Sequence, residues 1–173
     1  PFFQIADAKF QGTHYTLNKK DWRVGQLFQL AVNEAKAGQY IYVFSLNQSG
    51  ESKIHWPRNN SVGSLNSKKN LLIPGENKAL KISKPGKEYL VVLFSNEKVE
   101  ALPQLIELLR KNTSDLPKAL WGILGDRAVS KSDIYFESDK IGFQSETSEK
   151  SGIVPVILEV QAGSSVRRTE THR

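Results

Sequence analysis

The sequence contains no cysteine, no methionine and no long apolar run. The absence of cysteine excludes disulfide bonds, thiolate metal sites, iron–sulfur clusters and cysteine nucleophiles. No run approaches the roughly 18 apolar residues of a membrane-spanning helix, so we expect none in this segment. Because the chain begins at Pro1 and lacks methionine, we expect it to begin inside a longer gene product, with a signal peptide upstream.

Sequence motifs of common enzymes are missing as well. His14, His55 and His172 have no metal-binding spacing, and GxSxG, GxxxxGK[ST] and GxGxxG do not occur. Carboxylates for glycoside hydrolysis would have to come from strand positions that fit solvent exposure equally well: Glu51, Glu88, Asp133, Glu137 and Glu159. The sequence therefore predicts no catalytic residue, no metal site and no cofactor. A hydrolase whose site has no known motif stays a third hypothesis.

Length and composition are those of an ordinary folded domain. The 173 residues are 39% hydrophobic and 24% charged, which is enough to build one core and short for two. We predict a single domain over residues 1–163. The last ten residues, "SSVRRTETHR", form a predicted flexible tail over 164–173, of native or artificial origin.

Alternating apolar residues dominate the first half of the chain and return at its end. "QLFQLAV" alternates as a strand with one buried face does, whereas "YIYVFSL" and "EYLVVLFS" are apolar on both faces, which is typical of central strands. Ile41, Val43, Val91 and Leu93 are the expected central positions. Between strands, "NQSG" predicts a hairpin turn, with Asn47 and Gly50 able to adopt positive φ.

The period changes to that of helices at about residues 100–125. Two apolar stripes appear there: Leu102, Leu105, Ile106 and Leu109, then Leu116, Leu120, Ile123 and Leu124. Ser114 or Asp115 can cap the second helix, and Gly125 follows its end. The sequence therefore predicts a mainly β fold: an antiparallel β-sandwich with a two-helix insertion packed on the sheet.

The net charge of +6 would attract an acidic partner. The lysines that would contact an acidic glycan, an anionic lipid headgroup or a nucleic acid are scattered along the chain: Lys68, Lys69, Lys78, Lys81, Lys84 and Lys87. Nucleic acid is the least favoured of the three, because aromatic and basic residues do not alternate in any one strand. Solvated surface lysines explain the same pattern.

The stretch "HWPRN" ends a predicted strand and carries the other candidate contacts. Trp56 precedes Pro57, so we expect its ring to close the rim of the core with its indole N–H near solvent. His55 has the opposite parity and is expected to face outward, and Arg58 can stack on Trp56 or reach a carboxylate. The cluster therefore fits either core closure or a contact of His55, Trp56 and Arg58 with a glycan or peptide.

The order of these signals resembles the bacterial domain-of-unknown-function family 4384. The segments that carry the resemblance are "GQYIYVFSLNQSGESKIHWPRNN", "LLIPG" and "KPGKEYLVVLFS", within residues 24–96. The matching positions are Gly38, Tyr40, Tyr42, Asn47, Gly50, Trp56, Pro57, Ile73, Pro74, Gly86, Leu90, Val92 and Ser95.

The resemblance implies a non-catalytic accessory module of the bacterial envelope. Such modules are secreted or periplasmic parts of larger proteins, and the family has no assigned catalytic residues. Together with the missing enzyme motifs, it predicts a protein-binding or scaffolding function. The alternative is a module that binds an acidic polymer through the scattered lysines.

Overall fold

The chain is mainly β, with two α-helices between its tenth and eleventh strands. The computed structural model describes residues 2–3, 8–17, 22–35, 38–57, 69–74, 78–82, 84–138, 141–145 and 152–163. The strands are β1 (Phe2–Phe3), β2 (Ala8–Phe10), β3 (Tyr15–Leu17), β4 (Leu27–Phe28), β5 (Leu30–Ala35), β6 (Tyr40–Asn47), β7 (Ser52–Trp56), β8 (Lys69–Ile73), β9 (Leu80–Lys81), β10 (Gly86–Ser95), β11 (Ile134–Phe136), β12 (Phe143–Ser145) and β13 (Ile153–Ala162). The helices are α1 (Leu102–Arg110) and α2 (Leu116–Leu124).

A six-stranded sheet in the order β2-β3-β13-β10-β6-β7 organises the molecule. Its three long strands, β13, β10 and β6, pair antiparallel over nearly their whole length. One pair in this sheet departs from the predicted antiparallel arrangement, because β3 runs parallel to β13. A parallel pair needs a long crossover, and more than a hundred residues separate these two strands.

One face of this sheet, which we call the sandwich face, packs against three small sheets. Its central side chains include Ile41 and Val43 of β6 and Leu90 and Val92 of β10. Residues from the small sheets β1-β5-β8, β4-β9 and β11-β12 join the same core cluster: Leu30, Val32, Ile73, Leu80, Ile134 and Phe143. This arrangement confirms the mainly β prediction, and the central strands are apolar on both faces as expected.

The opposite face, which we call the helix face, is covered by α1 and α2. Tyr42, Phe44, Val91 and Leu93 belong to the same buried cluster as the helix side chains. Those side chains are Leu102, Leu105, Ile106, Leu109, Leu116, Leu120 and Leu124, whereas Ile123 is only partly buried. The predicted helical insertion at 100–125 therefore lies on the sheet, as the two stripes required.

Local signals fix the ends of several elements. The Asp115 side chain accepts a hydrogen bond from the Lys118 N–H and so caps α2. In the "NQSG" turn Gly50 adopts φ +80°, but Asn47 does not have positive φ. Asn47 instead closes the turn with its side chain, whose Oδ1 accepts from the N–H groups of Ser49 and Glu51 at 3.0 Å each. The predicted tail, residues 164–173, lies outside the described residues.

Candidate functional site

A β-bulge at the end of β7 decides where the side chains of the "HWPRN" corner lie. Trp56 pairs with Val43, but the next pair on β6 is Phe44 with Ile54, so His55 is an extra residue on β7. A bulge of this kind re-aims one side chain relative to strict alternation. His55 and Trp56 consequently share the sandwich face, and the prediction that His55 faces outward is wrong.

Trp56 packs on the core of the sandwich. Its ring is half-buried against the cluster that contains Val43 and Leu90. The expectation that its indole N–H lies near solvent is wrong, since Nε1 is buried and has no hydrogen-bond partner among the described residues. Arg58, the third member of the predicted cluster, lies outside the described residues, so a contact between the two stays a prediction.

A groove of about 350 Å³ lies beside this bulge on the sandwich face. β6 and β10 supply Ser45, Asn47 and Glu88 to its floor, and the bulged strand supplies His55 to its side. The opposite wall contains Pro74, Ala79, Leu80 and Lys81, from the end of β8 to β9. We call this cavity the Glu88 groove.

Ser45 and His55 form a hydrogen bond in the groove. The distance between Ser45 Oγ and His55 Nε2 is 2.8 Å, and Ser45 itself is buried. A hydroxyl beside an imidazole is also the arrangement of a nucleophile and its base. Serine hydrolases need, in addition, N–H groups aimed at the developing oxyanion. β6 pairs with a strand on each side around Ser45, so the backbone N–H groups next to Ser45 bond within the sheet. They are therefore not aimed at an oxyanion.

Among the described lining residues, Glu88 is the one carboxylate on the groove floor. Glu88 is half-buried, and its carboxylate has neither a hydrogen bond nor an ion pair among the described residues. Burial raises the pKa of its carboxyl group above the ordinary glutamate value, because the charged form loses hydration without gaining a partner. Glu51 at the rim differs: its hydrogen bond with Lys84 lowers its pKa.

The four described candidate lysines divide between the two faces of the sheet. Lys84 pairs with Glu51, and Lys87 lies 3.0 Å from Glu159 on the helix face. Lys81 lines the Glu88 groove, while Lys78 is exposed beside it. Of the remaining candidates, Lys68 and the Lys69 side chain lie outside the described residues. Three of the four described candidate lysines therefore lie at or beside the groove, among the carboxylates of Glu51 and Glu88, and Lys87 lies on the other face.

The groove was not predicted from the sequence, although the polar residues at inward-facing strand positions are a usable signal for it. Ser45 and Asn47 continue the inward-facing series of Ile41 and Val43, and Glu88 continues that of Leu90 and Val92. Polar residues at inward positions are uncommon unless they bond to something. This break in the apolar series marks the end of the sheet at which the groove lies.

The described residues indicate neither a metal site nor a membrane-spanning helix. Within the described part of the chain, no three histidine or carboxylate side chains are grouped as metal ligands would be. In the same described residues, no helix is long and apolar enough to cross a membrane. Comparisons with protein-family models, with curated proteins and with solved structures find no match.

Proposed function

We propose that this chain is a non-catalytic binding module of a larger bacterial envelope protein, and that it binds a protein partner. The observation that carries the proposal is the outer edge of β7 at Ser52, Lys53 and Ile54, which are exposed beside the Glu88 groove. The envelope location rests on the family resemblance of residues 24–96.

The β7 edge has the features of a strand that can accept another chain. Among the described residues Ser52, Lys53 and Ile54 pair only with β6, so the outward N–H and C=O groups of this part of β7 have no sheet partner in the described part of the chain. Ser52 and Lys53 are exposed, and the apolar Ile54 is 43% exposed. An extended peptide can add to such an edge through its backbone, with side-chain pockets giving specificity. The bulge at His55 confines regular pairing to a few residues, which favours a short, reversible contact.

The charge distribution favours a protein over an acidic polymer. Polymer binding needs several cations on one face whose counterions are released together. Here carboxylates lie beside two of the four described candidate lysines, as the pairs Lys84–Glu51 and Lys87–Glu159. A mixed surface next to an exposed apolar side chain is typical of protein interfaces.

Capture of partners from a bacterial envelope extract tests the proposal. Ile54→Lys places a charge at the β7 edge, and Leu108→Lys does so at an exposed leucine of α1 as a matched control (49% exposed). We expect the Ile54 variant to lose about ten-fold of partner binding, roughly 1.4 kcal/mol, while the Leu108 variant binds as the parent does. Equal capture by all three proteins, or capture of glycan or nucleic acid that salt abolishes, contradicts the proposal.

A further inference from the structure

We infer that the Glu88 groove binds a single basic side chain, lysine or arginine, of the partner protein, with the Glu88 carboxylate as its counter-charge. The inference rests on the proposed function and names the chemistry that the partner presents. It follows from one unpaired carboxylate, the walls around it and the charges at its rim.

The first argument is the state of Glu88 itself. A half-buried carboxylate without an ion pair or hydrogen bond loses hydration and gains nothing in return. Ser45 and Asn47, its neighbours on β6, are engaged elsewhere, Ser45 with His55 and Asn47 with its own turn. An incoming cation would supply the partner that Glu88 lacks, and charge-assisted hydrogen bonds of this kind are stronger than neutral ones.

The second argument is the shape and chemistry of the walls. Pro74, Ala79 and Leu80 give one apolar side, opposite the polar Ser45–His55 pair. Lysine and arginine side chains have this same division, since their methylene stems pack on apolar surface while the charged end contacts polar groups. A volume of about 350 Å³ lies near the lower end of ligand cavities, which run from roughly 300 to 1,000 Å³. It accommodates a side chain and excludes a helix or hairpin.

The charges at the rim limit the number of cations. Lys53 and Lys81 line the groove and are exposed, and neither forms an ion pair with Glu88. Glu51, the other carboxylate of the lining, is already paired with Lys84. Each of these lysines repels an incoming cation, so a run of basic residues would be repelled more strongly than one basic residue flanked by neutral or acidic ones. An anion in the groove would instead lie against the Glu88 carboxylate.

Small probes test the groove independently of the natural partner. We would titrate the protein with N-acetyl-arginine amide, N-acetyl-lysine amide and N-acetyl-citrulline amide, following the backbone amides of β6 and β10 by NMR. Citrulline has nearly the shape of arginine without its charge. We expect saturable shifts at millimolar concentrations of the two basic probes and at least ten-fold weaker binding of citrulline. Glu88→Gln should weaken binding of the basic probes at least ten-fold, whereas Lys81→Gln, which removes a repelling charge at the rim, should tighten it.

Contrary outcomes are equally defined. Citrulline binding as well as arginine, binding that survives Glu88→Gln, or no saturable shift up to about 10 mM of the basic probes would each overturn the inference. Partner capture separates this failure from that of the proposed function. If Glu88→Gln captures the envelope partner at full strength while Ile54→Lys does not, the cation site is wrong and the binding edge stands. If neither substitution reduces capture, both proposals fail.

Discussion

Truncation of Leu109 measures how far the sheet depends on its helical cover. Leu109 is fully buried between α1 and the helix face of the sheet, whereas its neighbour Leu108 is 49% exposed. α1 has nine residues and is too short to be stable by itself in water, so packing must hold it. Leu109→Ala removes the same atoms as Leu108→Ala, but only the former opens a cavity.

The expected difference is large compared with the stability of a domain. Leu→Ala in a core costs about 2.7–5 kcal/mol through lost burial and cavity formation, against a total of about 5–15 kcal/mol. Leu108→Ala should stay within about 0.5 kcal/mol, and alanine's higher helix propensity offsets part of any loss. Urea unfolding at equal protein concentration gives both values. Equal, small losses for the two variants would refute a structural role for α1 and suggest that its apolar stripe is an interface.

Three further substitutions have defined outcomes. Trp56→Ala should lower the free energy of unfolding in urea by about 3 kcal/mol. Trp56→Phe should lower it by less than about 1 kcal/mol, because the indole N–H has no described hydrogen-bond partner to lose. Similar losses for the two variants would contradict this packing. Tyr15→Phe should cost about 1–3 kcal/mol, since the Tyr15 hydroxyl lies 2.8 Å from the buried carbonyl of Gly142 and also from that of Glu137; an unchanged unfolding midpoint would argue against this bond. Burial raises the folded-state pKa of Glu88 above its unfolded value, so its contribution to stability falls as pH rises from the unfolded value through the folded one. Glu88→Gln should therefore stabilise the protein at pH 7 and not at pH 4, whereas an equal gain at both values would exclude the titration of Glu88 as its cause.

The sequence by itself determined most of the elements and their buried faces. Residues 40–44 of β6 and 89–94 of β10 are apolar or aromatic at every position, and only a strand covered on both sides tolerates that pattern. The stripes of α1 and α2, the Asp115 cap and Gly125 at the end of α2 are also local signals. These features could be predicted because periodicity and capping depend on residues a few positions apart.

Tertiary pairing decided the rest. β3 joins β13 in parallel from the other end of the chain, and no local pattern specifies that choice. One extra residue in β7 placed Trp56 on the same sandwich face as His55, because a shift of one position exchanges the two faces of a strand. The groove likewise exists only because β10 places Glu88 opposite Asn47, next to Ser45, which bonds to His55. Ser45 and Glu88 are 43 positions apart, so only the sheet register brings them to one site.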